Sequence, residues 1–172
     1  MNISIRKLNS AMLSHNGIAA YLARSNRSVE YFRRILAEQE RGDRVVLVAL
    51  ADGELAGHVT VKYRSDYPHF RETNTPEIND LWVNDECRRR GIAAALMDEA
   101  ERIIFEHSPL AGLGVGLYAD YGPAQQMYAR RGYVPDGNGL YYGTSPVVPG
   151  SQVTMDDHLA LFLVKERPAV ND

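Results

Sequence analysis

Three consecutive arginines followed by Gly91, Ile92 and Ala93 are the residues of this chain best suited to holding an anion. Arginine supplies fixed charge in a planar fork that matches phosphate oxygens, and small residues at 91 and 93 let the backbone approach a ligand. Upstream, Ile78, Leu81, Trp82 and Val83 suit a half-buried strand. Downstream, Ile92, Leu96, Ala100 and Ile103 recur at helical spacing, with Asp98 and Arg102 four apart on the opposite face. Residues 76–107 therefore read as strand, basic turn and helix. Such a turn presents backbone N–H groups and the positive end of a helix dipole to an anion.

The segment resembles motif A of the GNAT superfamily of N-acetyltransferases, Gln/Arg-x-x-Gly-x-Gly/Ala, carried here by Arg88, Gly91 and Ala93. Further on, Ala124 to Tyr133 is similar to the family's second signature, Ala-x-x-x-Tyr-x-x-x-Gly-Phe/Tyr, with Tyr128 and Gly132 in register. The resemblance covers roughly residues 44–164. It departs at Tyr121, where the family often has asparagine, and that puts a side-chain amide contact to the cofactor in doubt.

The resemblance implies a cofactor and its binding residues. The backbone from Arg89 through Gly91, Ile92 and Ala93 would surround the pyrophosphate of acetyl-CoA, with Arg88, Arg89 and Arg90 supplying charge. Backbone groups at Leu81, Trp82 and Val83 would pair with pantetheine. Tyr128 would protonate the departing thiolate. Glu77, fourteen positions before Gly91, sits at the offset where some protein-acetylating members carry a general base. Asp80 competes for that role: alternation points it to the other face, and a bulge would reverse that. A water chain is the third possibility.

The chemistry needs such a base. An alkyl ammonium has a reference pKa of about 10.4, so presenting it as free amine at pH 7 costs about 4.6 kcal/mol. A positioned base, direct or through water, can take that proton during the reaction.

The elements that must hold these residues are legible in the pattern. A first strand is expected at Ile3–Leu8 and mostly helix over residues 10–40, where Ser28 caps a helix with apolar Phe32, Ile35 and Leu36. Arg44–Leu50 is a buried strand, and Asp52-Gly53 marks a hairpin. The next strand alternates, with Leu55, Gly57, Val59, Val61 and Tyr63 on one face and Glu54, His58, Thr60 and Lys62 on the other. Residues 64–76 read as a polar loop with packed aromatics or as part of a substrate mouth. Leu113–Ala119 is a strand whose Gly114 and Gly116 face either a ligand or close packing. Gly122-Pro123 opens a short helix that Gly132 stops. Asp136–Gly139 is a turn, Leu140–Tyr142 a short strand, residues 143–157 an excursion, and His158–Val164 a final buried strand. The tail after Glu166 is expected to fray.

With 172 residues, 45% hydrophobic and 24% charged, the chain reads as one domain; the resemblance makes residues 1–172 a single N-acetyltransferase domain. A formal net charge of −3 gives no general attraction to nucleic acid or an anionic membrane. No apolar run approaches the ~20 residues of a membrane span, and the N-terminus lacks a signal-peptide pattern, so a cytoplasmic protein is expected. One cysteine, Cys87, excludes an internal disulfide framework, and the five histidines lack ligand spacing, so no metal is expected.

The fold expected is mixed α/β, a central, mostly antiparallel twisted sheet with helices on both faces. The function expected is acetyl transfer from acetyl-CoA to a primary amine by direct attack in a ternary complex, with a small-molecule acceptor; the sequence leaves the oligomeric state open, and the resemblance, to a family in which dimers are common, admits a homodimer. Residues 24–33, 64–76 and 143–157 would shape the acceptor site. The rivals are a protein N-terminus or lysine acetyltransferase, a noncatalytic acyl-CoA-binding regulatory domain, and a nucleotide- or RNA-binding module using the arginine loop.

Overall fold

The computed structural model describes residues 2–14 and 18–169. Within these residues the chain forms two compact units, one of residues 1–63 and 78–106, the other of residues 64–77 and 107–172. Both mix strands and helices.

In the first unit, β1 (Ile3–Lys7), β2 (Arg44–Ala51), β3 (Glu54–Lys62) and β4 (Glu77–Val83, from Ile78 on) lie side by side in that order. The β1/β2 and β2/β3 pairs are antiparallel. Asp52 and Gly53 both take positive φ, +50° and +92°, the geometry a two-residue hairpin needs. Helices α1 (Ile18–Ser25) and α2 (Val29–Glu40) cover one face of these strands. Their Tyr21, Leu22, Phe32, Ile35 and Leu36 form one cluster with Val46 and Val48. Ser28 caps α2 by accepting from Tyr31 N at 3.0 Å, a contact of about 1 kcal/mol. Helix α4 (Ile92–His107) covers the opposite face, where its Leu96 lies beside Gly57 and Val83.

Several expectations need correcting here. The supposed polar face of β3 is buried: His58 and Thr60 are both 0% exposed, because α1 and α2 close over it. Along α4, Ile104 rather than Ile103 joins the buried row. Arg102 donates to Glu99 and Glu106, both within one helical turn of it.

In the second unit, β5 (Leu110–Gly116), β8 (Leu159–Glu166), β6 (Val134–Tyr142) and β7 (Ser145–Pro146) lie side by side in that order, each antiparallel to its neighbour. The expected 136–139 turn is a register shift inside β6, between Pro135 and Leu140. The expected 64–76 loop contains a helix, α3 (Pro68–Thr73), begun by proline and ended by Asn74 in the left-handed region. It is held by Tyr67 and Phe70, which pack with Tyr141 and Phe162.

The glycines of β5 face aromatic rings: Gly112 meets Phe70, Gly114 meets Phe162 and Gly116 meets Tyr121. Close packing, not a ligand, accounts for them. Helix α5 (Gly122–Arg130) starts at Pro123 and stops at Gly132, whose φ is +88°. Beyond Glu166, Arg167 is tied down by its N–H to Pro109 O at 2.8 Å, and the end of the expected frayed tail, residues 170–172, lies outside the described residues.

Candidate active site

The basic turn belongs to the first unit. After Val83 the chain turns sharply, with Asn84 N bonded to Ala56 O of β3 at 2.9 Å, then makes a short 3₁₀ turn at Asp85–Cys87. Arg89 and Gly91 have φ of +60° and +84°, so two left-handed residues fold the backbone just ahead of α4. The first intrahelical bond is Ala95 N to Gly91 O at 2.9 Å. The N–H groups of Ile92, Ala93 and Ala94 therefore precede the helical ladder and sit at its positive end. Among the described residues, nothing beyond its own chain neighbours comes within 4 Å of where a Gly91 side chain would project. Glycine is required there by its backbone angle, and the space above it is open. Exposed Arg89 and Arg90 flank that space. Arg88 faces back: its Nε donates to Val83 O at 3.3 Å and its Nη2 pairs with Asp85 at 2.8 Å, so it braces the loop. Backbone donors, a helix start and arginines make a donor set that fits a pyrophosphate.

Strand β4 leads into this loop. Leu81, Trp82 and Val83 occupy its end, and Trp82 O comes within 2.7 Å of where a side chain on Gly57 would begin, so β3 must carry glycine at that crossing. Asp80 has φ +52°, a left-handed residue inside a strand, and it breaks the alternation of β4.

Asp80 lies on the α1–α2 face and is densely partnered. Arg27 Nη2 donates to its Oδ1 at 2.5 Å and Arg27 Nε to Oδ2 at 3.4 Å. Tyr31 OH also donates to Oδ2, and His58 Nε2 reaches the same oxygen at 3.1 Å. On its other side, His58 Nδ1 lies 2.5 Å from Tyr21 OH. The tautomer with the proton on Nε2 satisfies both ring nitrogens, with Tyr21 donating to Nδ1. Trp82 stacks on His58, with centroids 5.9 Å apart at 28°. Burial raises the Asp80 carboxyl's pKa, but hydrogen bonds from His58, Arg27 and the Tyr31 hydroxyl outweigh it and hold the group well below the usual carboxylate range. A carboxylate so stabilised is a poor proton acceptor. Burial first, and the Asp80 charge second, push the Tyr21 and Tyr31 hydroxyls upward.

Sequence reasoning named Asp80 but missed Tyr21, Arg27, Tyr31 and His58. One signal for them was available. Strand β2 is apolar on both faces, so its neighbour β3 must be covered on both faces too, and His58 could not point to solvent.

Glu77 and Tyr128 belong to the second unit. Glu77 is 5% exposed and accepts from Ser65 Oγ at 2.5 Å, while Ser65 Oγ accepts from Tyr67 N at 3.0 Å. Tyr128, on α5, is 7% exposed, and burial pushes its hydroxyl up to about 12. At neutral pH it therefore keeps its proton and can donate it. Tyr121 turns its ring over Gly116 and its hydroxyl to Asp157 at 3.0 Å, where Tyr118 OH also donates. Among the described residues no group of three or more His, Cys, Asp or Glu could hold a metal ion, and no helix is long and apolar enough to cross a membrane.

Residues 12–133 match the acetyltransferase (GNAT) family. An uncharacterized N-acetyltransferase of Archaeoglobus fulgidus is 33% identical over 105 residues, 60% of this chain and 69% of that protein. The L-amino acid N-acetyltransferase AaaT of Escherichia coli is 26% identical over 96 residues, 56% of this chain and 57% of that one. Among solved structures, ribosomal-protein-alanine N-acetyltransferase from Brucella melitensis superposes with a TM-score of 0.66 at 19% identity, covering 95% of this chain and 99% of that one. PaiA N-acetyltransferase from Thermoplasma acidophilum, solved with coenzyme A, gives 0.63 at 18% identity, covering 97% and 100%. These two share the fold.

Proposed function

This chain belongs to the acetyltransferase (GNAT) family, and from that premise we propose that it transfers an acetyl group from acetyl-CoA to a primary amine by direct attack in a ternary complex. The single observation that carries the reading is the turn between β4 and α4. There, left-handed Arg89 and Gly91 turn the chain into the helix start at Ile92, with open space above. The coenzyme A bound by the Thermoplasma acidophilum neighbour supports the choice of cosubstrate. Arg89, Arg90 and the N–H groups through Ala93 would hold the pyrophosphate, while backbone at Leu81–Val83 would pair with pantetheine. Residues 1–172 act in this reading as one N-acetyltransferase domain, cytoplasmic and in need of no metal.

Two side chains complete the proposal. Tyr128 donates a hydrogen bond to the sulfur as the thioester C–S bond breaks. With its hydroxyl at about 12 and a reference thiol at about 8.5, full proton transfer is uphill by about 5 kcal/mol. Its contribution is therefore stabilisation of the thiolate, with solvent completing protonation. Glu77 takes the amine proton, directly or through water. The depressed pKa of Asp80 favours Glu77 over it.

The acceptor in this reading is a small-molecule amine, for which the amino acid-acetylating relative from Escherichia coli is the support. A protein N-terminus is the second reading, favoured by the fold shared with the Brucella melitensis enzyme. Thiol release from acetyl-CoA, measured across amino acids, polyamines, aminoglycosides and peptides, tests both. Turnover on small amines and none on peptides is expected. Turnover on no amine, with acetyl-CoA still bound, would replace the enzyme with a binding domain.

A further inference from the structure

Asp80 occupies a position that the acid–base chemistry does not use. It is the one residue of β4 in the left-handed region, at φ +52°, and it directly precedes Leu81–Val83. Aspartate tolerates that region better than most residues, yet a strand interior keeps it only when its surroundings over-determine it. Here they do. Arg27 comes from the α1–α2 junction, Tyr31 from the first turn of α2 and His58 from β3, and all three donate to this single carboxylate. The donors are themselves fixed. Arg27 N bonds Leu22 O at 3.3 Å after left-handed Asn26, Tyr31 N bonds the Ser28 cap, and His58 is held from behind by Tyr21.

We propose that Asp80 is a positioning residue: its carboxylate, gripped by Arg27, Tyr31 and His58, fixes the left-handed turn of β4 and so sets the backbone of Leu81–Val83 against the pantetheine arm of the cosubstrate. The inference rests on the acetyl-CoA reading above. The grip extends past the turn itself, since His58 also stacks on Trp82, the middle residue of that segment. It also links the α1–α2 junction to the cosubstrate strand, so acceptor-side residues and acyl-side backbone share one anchor. Both carboxylate oxygens are occupied, Oδ1 by Arg27 and Oδ2 by Tyr31, His58 and the long Arg27 Nε contact, which suits an anchor and not a proton acceptor.

The test separates pantetheine from pyrophosphate. Titration calorimetry measures binding of acetyl-CoA and of 3′-phospho-ADP, which carries the pyrophosphate without pantetheine, to wild type, Asp80→Asn and Asp80→Gly. Both substitutions tolerate the left-handed backbone; asparagine keeps one acceptor oxygen but loses the charge and the other, and glycine removes the grip altogether. Acetyl-CoA should bind about tenfold more weakly to each, while 3′-phospho-ADP binds as in wild type. Tyr31→Phe, which removes one donor, should weaken acetyl-CoA about threefold, and Arg27→Lys should bind more tightly than Arg27→Met. These milder variants carry the test if the Asp80 variants do not fold. Equal losses for both ligands, or no loss for acetyl-CoA, would overturn the positioning role while leaving the cosubstrate reading intact. Failure of wild type to bind either ligand would overturn the cosubstrate reading, and the positioning role with it.

Discussion

Replacing Gly91 separates what the loop needs in order to fold from what it needs in order to bind. Gly91 has φ +84° and nothing within 4 Å of a would-be side chain, so a methyl group there collides with no protein atom. The cost of Gly91→Ala to the fold is then conformational alone, about 1–2 kcal/mol for an L-residue held left-handed. For a chain of this size that lowers Tm by about 2–8 °C. Gly91→Asn should lose less, because asparagine visits that region readily. Gly91→Val, branched at Cβ, should lose most. Binding should order differently. All three place a Cβ in the space assigned to the phosphates and should weaken acetyl-CoA by tenfold or more, about 1.4 kcal/mol, whatever their stability. Thermal unfolding of the ligand-free protein gives the first order and titration calorimetry the second. Equal destabilisation by alanine and asparagine would refute the backbone argument. Unchanged acetyl-CoA affinity in all three would move the phosphate site elsewhere.

Tyr128→Phe should keep acetyl-CoA affinity and lower kcat by about 10²-fold or more, and a change within twofold when chemistry limits the rate would leave Tyr128 a packing residue. Its hydroxyl is raised from an ordinary 10 to about 12, so it favours the fold fully below pH 10 and less as pH rises from 10 to 12, and denaturant titrations should show Tyr128→Phe losing less stability than wild type between pH 9 and 11. Glu77→Gln should make kcat/KM rise with pH where wild type is flat, because only amine already deprotonated in solution would react; the same defect in Asp80→Asn but not in Glu77→Gln would reassign the base. Gly112→Ala places a methyl group inside the Phe70 ring and should cost about 1–3 kcal/mol by chemical denaturation, most of it recovered by adding Phe70→Leu.

What was legible in the sequence was what short-range chemistry decides. The Asp52-Gly53 hairpin, the Ser28 cap, and the Pro123 start and Gly132 stop of α5 all follow from residue type and immediate neighbours. The illegible parts depend on contacts distant along the chain. Helix α3 has six residues and little amphipathic signal, and it exists because Tyr67 and Phe70 find Tyr141 and Phe162. His58 looked solvent-facing because alternation says nothing of what packs above a strand; Tyr21 and Phe32, from helices well before it, decided the matter. Asp80 was readable as a carboxylate near the base position, but its partners Arg27 and Tyr31 lie 53 and 49 residues away, beyond any local pattern.

The three glycines of β5 have a consequence for how this sequence can drift. Gly112 and Gly116 are sockets matched to the Phe70 and Tyr121 rings, so neither can gain a side chain unless its ring moves or shrinks, while Gly114 packs tightly on Phe162. A short side chain at 121 would leave empty the place that the Tyr121 ring takes over Gly116. A variant with a short side chain there frees position 116 to become alanine or serine. One that keeps tyrosine is bound to glycine for as long as it does so.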